Sequence, residues 1–391
     1  MDFENTDHLV AAAQKLRAEY LKGAQTTPIS ESKFVAPKPT LDTSRDLLLA
    51  LVDEANEHNV PYDRPESEPL DLRWIGFRGN VDRNTPEPSI SEELKFQSLG
   101  AETKSPLTLL YVYGGTFVLN TPASYRSRVG RLAKSTGAKV LMVRQRLAPQ
   151  NPFPAALLDV FQAYLALIVP PPGSPHKAIP PSSIVVTGDS SGANLALGLL
   201  QILLRLKKRG ATITFHGQQI EPAIPSGMAL LSPVVELVNV VPSFVKNAHC
   251  DMFPVPPEKL PYLEKSFPTC HIWPTHPARA NLYCEAGLLA HPLASPAACT
   301  DWTGSCPLWF GSGQEQISDA QRILAQAAHK QGVSVTLHEY EKMLHAFFWY
   351  FGQAPQSRKI LKDWADAIMS FGRGEKPTSS ACFFLCQGTS G

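Results

Sequence analysis

The chain has 391 residues, 43% of them hydrophobic and 18% charged, which suffices for one large α/β domain with a cover or for two modest domains. Its 36 Lys and Arg against 35 Asp and Glu leave a net charge of +1, so no broad field of one sign is available to collect phosphates or an anionic membrane surface, and nucleic acid is not an expected partner. The apolar run 195–204 is broken by Gly198 and Gln201 and is too short to span a bilayer, so stable membrane insertion is not expected either.

The opening stretch, MDFENTDHLVAAAQKLRAEYLKG, sets acids before its apolar positions and lacks the basic start and continuous apolar core of a secretory signal. The mature protein is expected to begin there, in the cytoplasm. Residues 1–100 read as a cover of helices and leading strands: a helical stretch, a Pro- and Thr-rich connection (TTPISESKFVAPKPT), a second helix near 42–58, then irregular polar sequence.

Residues 101–372 read as the main α/β domain. Runs of buried-strand type occur at 107–113, which ends in Gly114-Gly115, at 139–144 and at 182–187. The third leads through Gly188 into a helical run from about 191 to 208. Further central strands are expected at 228–237, 306–312 and 333–340, with helical patterns between several of them. This alternation predicts a mostly parallel sheet with helices on both faces. Residues 240–300, rich in Pro, His and aromatics without a clean period, read as an inserted helical lid.

The tail 373–391 is expected to be disordered. Cys382 and Cys386 lie in it, but five residues follow Cys386, so it is no prenylation box. The seven cysteines are odd in number and form no Cys-x-x-Cys pair or zinc spacing, which fits reduced thiols in an intracellular protein and predicts no metal.

At 188–192 the chain reads Gly-Asp-Ser-Ser-Gly between a strand and a helix. Glycines two residues either side of a serine permit a turn tight enough to lift its hydroxyl clear of a sheet, which makes Ser190 a candidate nucleophile. A serine hydroxyl is a weak nucleophile at neutral pH and needs a base, an acid to orient that base, and donors for the oxyanion. His345, just past the strand ending near Tyr340, is placed to be the base. Two carboxylates, Glu315 and Asp319, follow the strand at 306–312, and spacing alone does not choose between them. Asp319, with Ser318, stands at a helix start where an acid has a capping duty, so Glu315 is favoured. For the oxyanion, Gly114 and Gly115 let successive amides face one anion, and Ser191 adds the amide after the nucleophile.

The segments TyrValTyrGlyGlyThrPheValLeu, ArgLeuAlaProGlnAsnProPheProAlaAlaLeuLeuAsp, GlyAspSerSerGlyAlaAsn and MetLeuHisAlaPhe together resemble the hormone-sensitive-lipase-like branch of the α/β-hydrolases, which includes carboxylesterases and arylacetamide deacetylases. The resemblance implies the α/β-hydrolase fold with a helical cap, Ser190 as nucleophile and His345 as base. It also implies Glu315 as acid, through an acid-x-Leu-x-acid pattern echoed by 315–319, although one other register puts Gln314 at that place. The oxyanion amides would be those of Gly114, Gly115 and Ser191, with that of Thr116 as a further candidate. Three positions depart from the family: Tyr113 stands where histidine is usual, Thr116 where glycine or alanine is, and Ala346 where glycine is.

The expected activity is that of a serine esterase acting without cofactor on small to medium apolar esters through an acyl-enzyme, with lid aromatics such as Phe253, Tyr262, Phe267 and Trp273 shaping an apolar pocket. An alternative keeps the site but passes the acyl group to another alcohol, or releases a thioester product, in a secondary-metabolite pathway. A non-enzymatic small-molecule receptor on the same fold ranks last, because His345 is present.

Overall fold

A nine-stranded sheet organises the chain in the computed structural model, which describes residues 29–79, 81–82, 85–249, 251 and 281–375, together with the backbone of 382–386. In chain order the elements begin with β1 (Ile29–Ala36), α1 (Ser44–Glu54), β2 (Leu70–Phe77), α2 (Glu92–Glu102), β3 (Thr108–Val112), α3 (Pro122–Thr136), β4 (Lys139–Val143) and α4 (Ala155–Ile168). Then come β5 (Ile184–Asp189), α5 (Ser190–Lys208), a small hairpin of β6 (Ile213–Phe215) and β7 (Gln218–Ile220), β8 (Gly227–Leu231) and α6 (Pro242–Lys246). The chain closes with β9 (Leu308–Gly313), α7 (Ser318–Lys330), β10 (Val335–Tyr340), α8 (Phe347–Tyr350), α9 (Pro355–Gly372) and β11 (Cys382–Cys386).

The sheet order is β1-β2-β4-β3-β5-β8-β9-β10-β11. Only β1 with β2 and β2 with β4 pair antiparallel; the other neighbours are parallel. Strands β3, β5 and β8 are buried along their whole length, as continuous apolar runs covered on both faces must be. The two-residue alternation of a strand divides them between two cores. Leu110, Val112 and Val186 join α1, α4, α5 and α7 on one face, while Leu109, Tyr111 and Val185 join α3 and α9 on the other. Helix α5, buried over nearly all its length, carries Arg205, Lys207 and Lys208 in its last turn, where cations complement the helix dipole.

Three differences from the sequence reading have local causes. The Pro- and Thr-rich connection contains β1, whose four consecutive polar residues (Ser30, Glu31, Ser32, Lys33) hide its period, and the stretch read as irregular holds β2 and α2. Strand β8 stops at Leu231 because Ser232 turns to φ +44° and Pro233 follows. The tail expected to be disordered includes β11, whose backbone pairs in parallel with β10 from Thr336↔Cys382 to Tyr340↔Cys386. The first predicted helix and the lid aromatics Phe253, Tyr262, Phe267 and Trp273 lie outside the described residues.

Candidate active site

The C-terminal end of β5 delivers Ser190 at φ +52°, a left-handed conformation that costs a non-glycine residue strain and is held by its surroundings. What holds it is a close approach of backbones. A Cβ at 188 would lie 2.3 Å from Val112 O, and one at 192 would lie 2.1 Å from the same oxygen. Only glycine lets the turn sit this near the end of β3.

His345 closes onto the serine from the loop after β10, with Nε2 2.9 Å from Ser190 Oγ. Its Nδ1 is 2.8 Å from Glu315 Oε2 on the loop after β9. Glu315 is fully buried. Its Oε1 accepts from the Ser232 hydroxyl and from the Gly313 amide, and the amide of Gln321 donates to Oε2 at 3.5 Å. Burial opposes a charged His345 imidazole, yet the Glu315 carboxylate, by charge and hydrogen bond, and the charges of Asp251 and Asp189 outweigh it and hold its pKa above the ordinary 6.5. Ala346, at φ +56°, turns the chain into α8; that left-handed value explains a preference for glycine at the position.

The other carboxylate considered, Asp319, accepts from Ser243 N at 2.8 Å and pairs with Arg322 at 2.7 Å. It serves the start of a helix. Gln314 is engaged elsewhere too, its Oε1 accepting from Lys342 N at 3.1 Å.

Gly114 lies against the elbow, where a Cβ would stand 2.9 Å from Ser190 Cβ. Gly115 has φ +129°, which only glycine adopts without strain. Among the described residues neither amide donates a hydrogen bond to a protein acceptor. The Ser191 amide belongs to the first turn of α5, whose N–H groups have no acceptor within the helix. The Ser191 hydroxyl in turn accepts from Phe117 N at 3.1 Å, tying the glycine loop to the elbow. Thr116 is exposed, with its hydroxyl on Gly115 O at 2.8 Å. Tyr113 is buried in the α3/α9 core with an unpartnered hydroxyl, and burial pushes its pKa well above the ordinary value.

The segment 146–159 buttresses this loop without touching the serine. Asp159, buried, accepts from the Arg146 backbone and guanidinium at 2.7 Å each, and Ala148 N donates to Phe117 O at 3.0 Å. A cavity of about 390 Å³ lined by Thr108, Lys139 and His176 lies at the opposite, N-terminal ends of β3 and β4 and takes no part here.

Sequence reasoning missed three contributors. Ser232 donates to Glu315 and accepts from Ala346 N at 3.2 Å. Asp189 gathers Tyr111 (2.6 Å), Tyr125 (2.7 Å) and Trp349 (3.2 Å) beneath the elbow. Asp251 accepts from the amides of Gln316 and His345 at 2.6 and 2.7 Å. Only Asp189 carried a signal, a carboxylate inside the elbow itself; the other two act through contacts distant in sequence.

Comparison with known proteins places this geometry. A family model described as an alpha/beta hydrolase fold matches residues 109–349. An acetyl-hydrolase of Streptomyces hygroscopicus is 30% identical over 68% of this chain and 77% of its own length. An esterase of Acinetobacter venetianus is 28% identical over 76% of this chain and 81% of its own. Among solved structures, an esterase of the bacterial hormone-sensitive lipase family aligns with a TM-score of 0.55 at 21% identity, covering 85% of this chain and 99% of that one.

Proposed function

The chain belongs to the α/β-hydrolase family, and from that premise we propose that it is a hormone-sensitive-lipase-like esterase that cleaves carboxylic esters with Ser190 as nucleophile, His345 as base and Glu315 as orienting acid. The observation carrying this reading is the unbroken relay from Ser190 Oγ to His345 Nε2 at 2.9 Å and from Nδ1 to Glu315 at 2.8 Å.

In this mechanism Ser190 Oγ attacks the ester carbonyl carbon while His345 Nε2 takes its proton. Negative charge passes to the carbonyl oxygen, where the amides of Gly114, Gly115 and Ser191 donate. The ester C–O bond breaks, and the alcohol leaves with the proton from His345. Water then attacks the acyl-serine, losing its proton to His345; the acyl C–Oγ bond breaks, His345 returns that proton to Ser190 Oγ, and the carboxylic acid leaves. Glu315 fixes the imidazole tautomer and stabilises the imidazolium that forms.

Phe117, Val118 and Leu119, next to the glycine pair, are apolar and two of them are buried. They support small to medium uncharged esters as substrates. Among the described residues no helix is long and apolar enough to cross a membrane. The similarity to an acetyl-hydrolase and an esterase supports hydrolysis over acyl transfer to a second alcohol or a receptor role.

Turnover of a short-chain p-nitrophenyl ester, with Ser190→Ala beside it, tests the proposal. The wild type is expected to release product and to be labelled at Ser190 by a fluorophosphonate, and the variant to lose about 10⁴-fold or more in kcat. A wild type that neither turns over nor labels would overturn the reading.

A further inference from the structure

Three polar residues spaced four apart, Ser243, Asn247 and Asp251, all reach the loop that carries Glu315. Ser243 lies in α6 and Asn247 is its C-cap, a four-residue step that keeps the two on one helical face, while Asp251 lies beyond the helix. Ser243 Oγ donates to Gln316 O at 2.7 Å, and Asn247 Nδ2 to Glu315 O at 2.8 Å. Asp251 does something the other two do not. Its Oδ2 accepts the amide of Gln316 at 2.6 Å while its Oδ1 accepts the amide of His345 at 2.7 Å. One carboxylate therefore joins the acid loop, one residue past Glu315, to the base loop at His345 itself.

We propose that Asp251 is a positioning residue for the reaction: by bonding both loops it sets their separation, so that the Glu315–His345 contact is in place before substrate arrives. The proposal rests on the reading of Ser190, Glu315 and His345 as the catalytic set. Its chemical basis is that a carboxylate offers acceptors on both oxygens, as two facing N–H groups require. An asparagine has one acceptor oxygen and must turn its NH₂ toward the other N–H. The charge has a second effect. The anions acting on His345 are Glu315, Asp251 and Asp189, and together they favour its protonated form. Removing one of them lowers its pKa.

The test uses the full chain with Asp251→Asn and Asp251→Glu beside the wild type, each checked for folding by its thermal transition. For Asp251→Asn, kcat on a p-nitrophenyl ester is expected to fall about ten- to hundredfold, the effect of losing a hydrogen bond to a charged group, with KM within about twofold, as for loss of alignment rather than of substrate binding. The acid limb of kcat/KM should move to lower pH, a readout that loss of packing alone would not shift. Asp251→Glu keeps the charge on a longer stem, so its kcat should fall while its acid limb stays at the wild-type position. Wild-type kcat in folded Asp251→Asn, or an unmoved acid limb there, would overturn the proposal. If Asp251→Asn does not fold, Asp251→Glu carries the test: reduced kcat with an unmoved limb supports it, and wild-type kcat overturns it. A wild type that itself neither hydrolyses esters nor labels at Ser190 marks a different failure, that of the catalytic reading.

Discussion

The two halves of the site are held in different ways. Ser190 is carried by one short segment packed against one adjacent strand: β5 ends, α5 begins, and Gly188 and Gly192 admit a turn close against Val112 O at the end of β3. Glu315 and His345 lie on loops after β9 and β10 and are positioned by residues far along the chain, Ser232, Asn247 and Asp251 among them. The comparison teaches that one short motif can carry a strained serine, because its glycines are what admit the neighbouring strand β3, which then holds the strain. An acid–base pair joining two loops needs hydrogen bonds from outside both, since neither loop alone defines a distance to the other.

This contrast can be broken by substitution. After Ser190→Ala, the largest loss is expected for Glu315→Gln, which leaves size nearly unchanged but removes the carboxylate opposite His345; kcat should fall about 10³–10⁴-fold, read by steady-state ester turnover. A smaller change would mean that another group orients the imidazole. On the serine side, Gly192→Ala drives a methyl toward Val112 O, where a Cβ would stand at 2.1 Å. Backbone must shift, and about 1–3 kcal/mol of stability should be lost, visible in a denaturant melt together with reduced fluorophosphonate labelling. Unchanged stability and labelling would show that the elbow is less tightly held than its geometry implies.

The smallest effect is expected at Asp319, the carboxylate that sequence spacing could not separate from Glu315. Because it is engaged by Ser243 N and Arg322 rather than His345, Asp319→Asn should leave kcat within about threefold and cost about 1 kcal/mol of stability at most, the range of a half-exposed ion pair and helix-end acid. A loss in kcat matching that of Glu315→Gln would exchange their roles.

Much of the molecule could be read before any coordinates. The runs that became β3, β4, β5 and β9 are largely apolar because parallel strands are covered on both faces, and such runs announce themselves, whereas β10 alternates buried Val335 and Leu337 with half-buried Thr336 and His338. The preference for Glu315 over Asp319 followed from helix capping, which is also local. By contrast β1 and β2, at the antiparallel side of the sheet, mix polar residues with apolar ones, and β1 was hidden in what read as a connection.

What the sequence alone determined is the order Ser190, Glu315, His345 that we propose for nucleophile, acid and base, together with the strands that present them, because periodicity, glycine and capping act over a few residues. The fold itself decided which groups hold that order at hydrogen-bond distance. Ser232, Asp189 and Asp251 meet their partners only after β5, β8, β9 and β10 have come side by side, and a contact between residues tens of positions apart leaves no mark in the spacing of either.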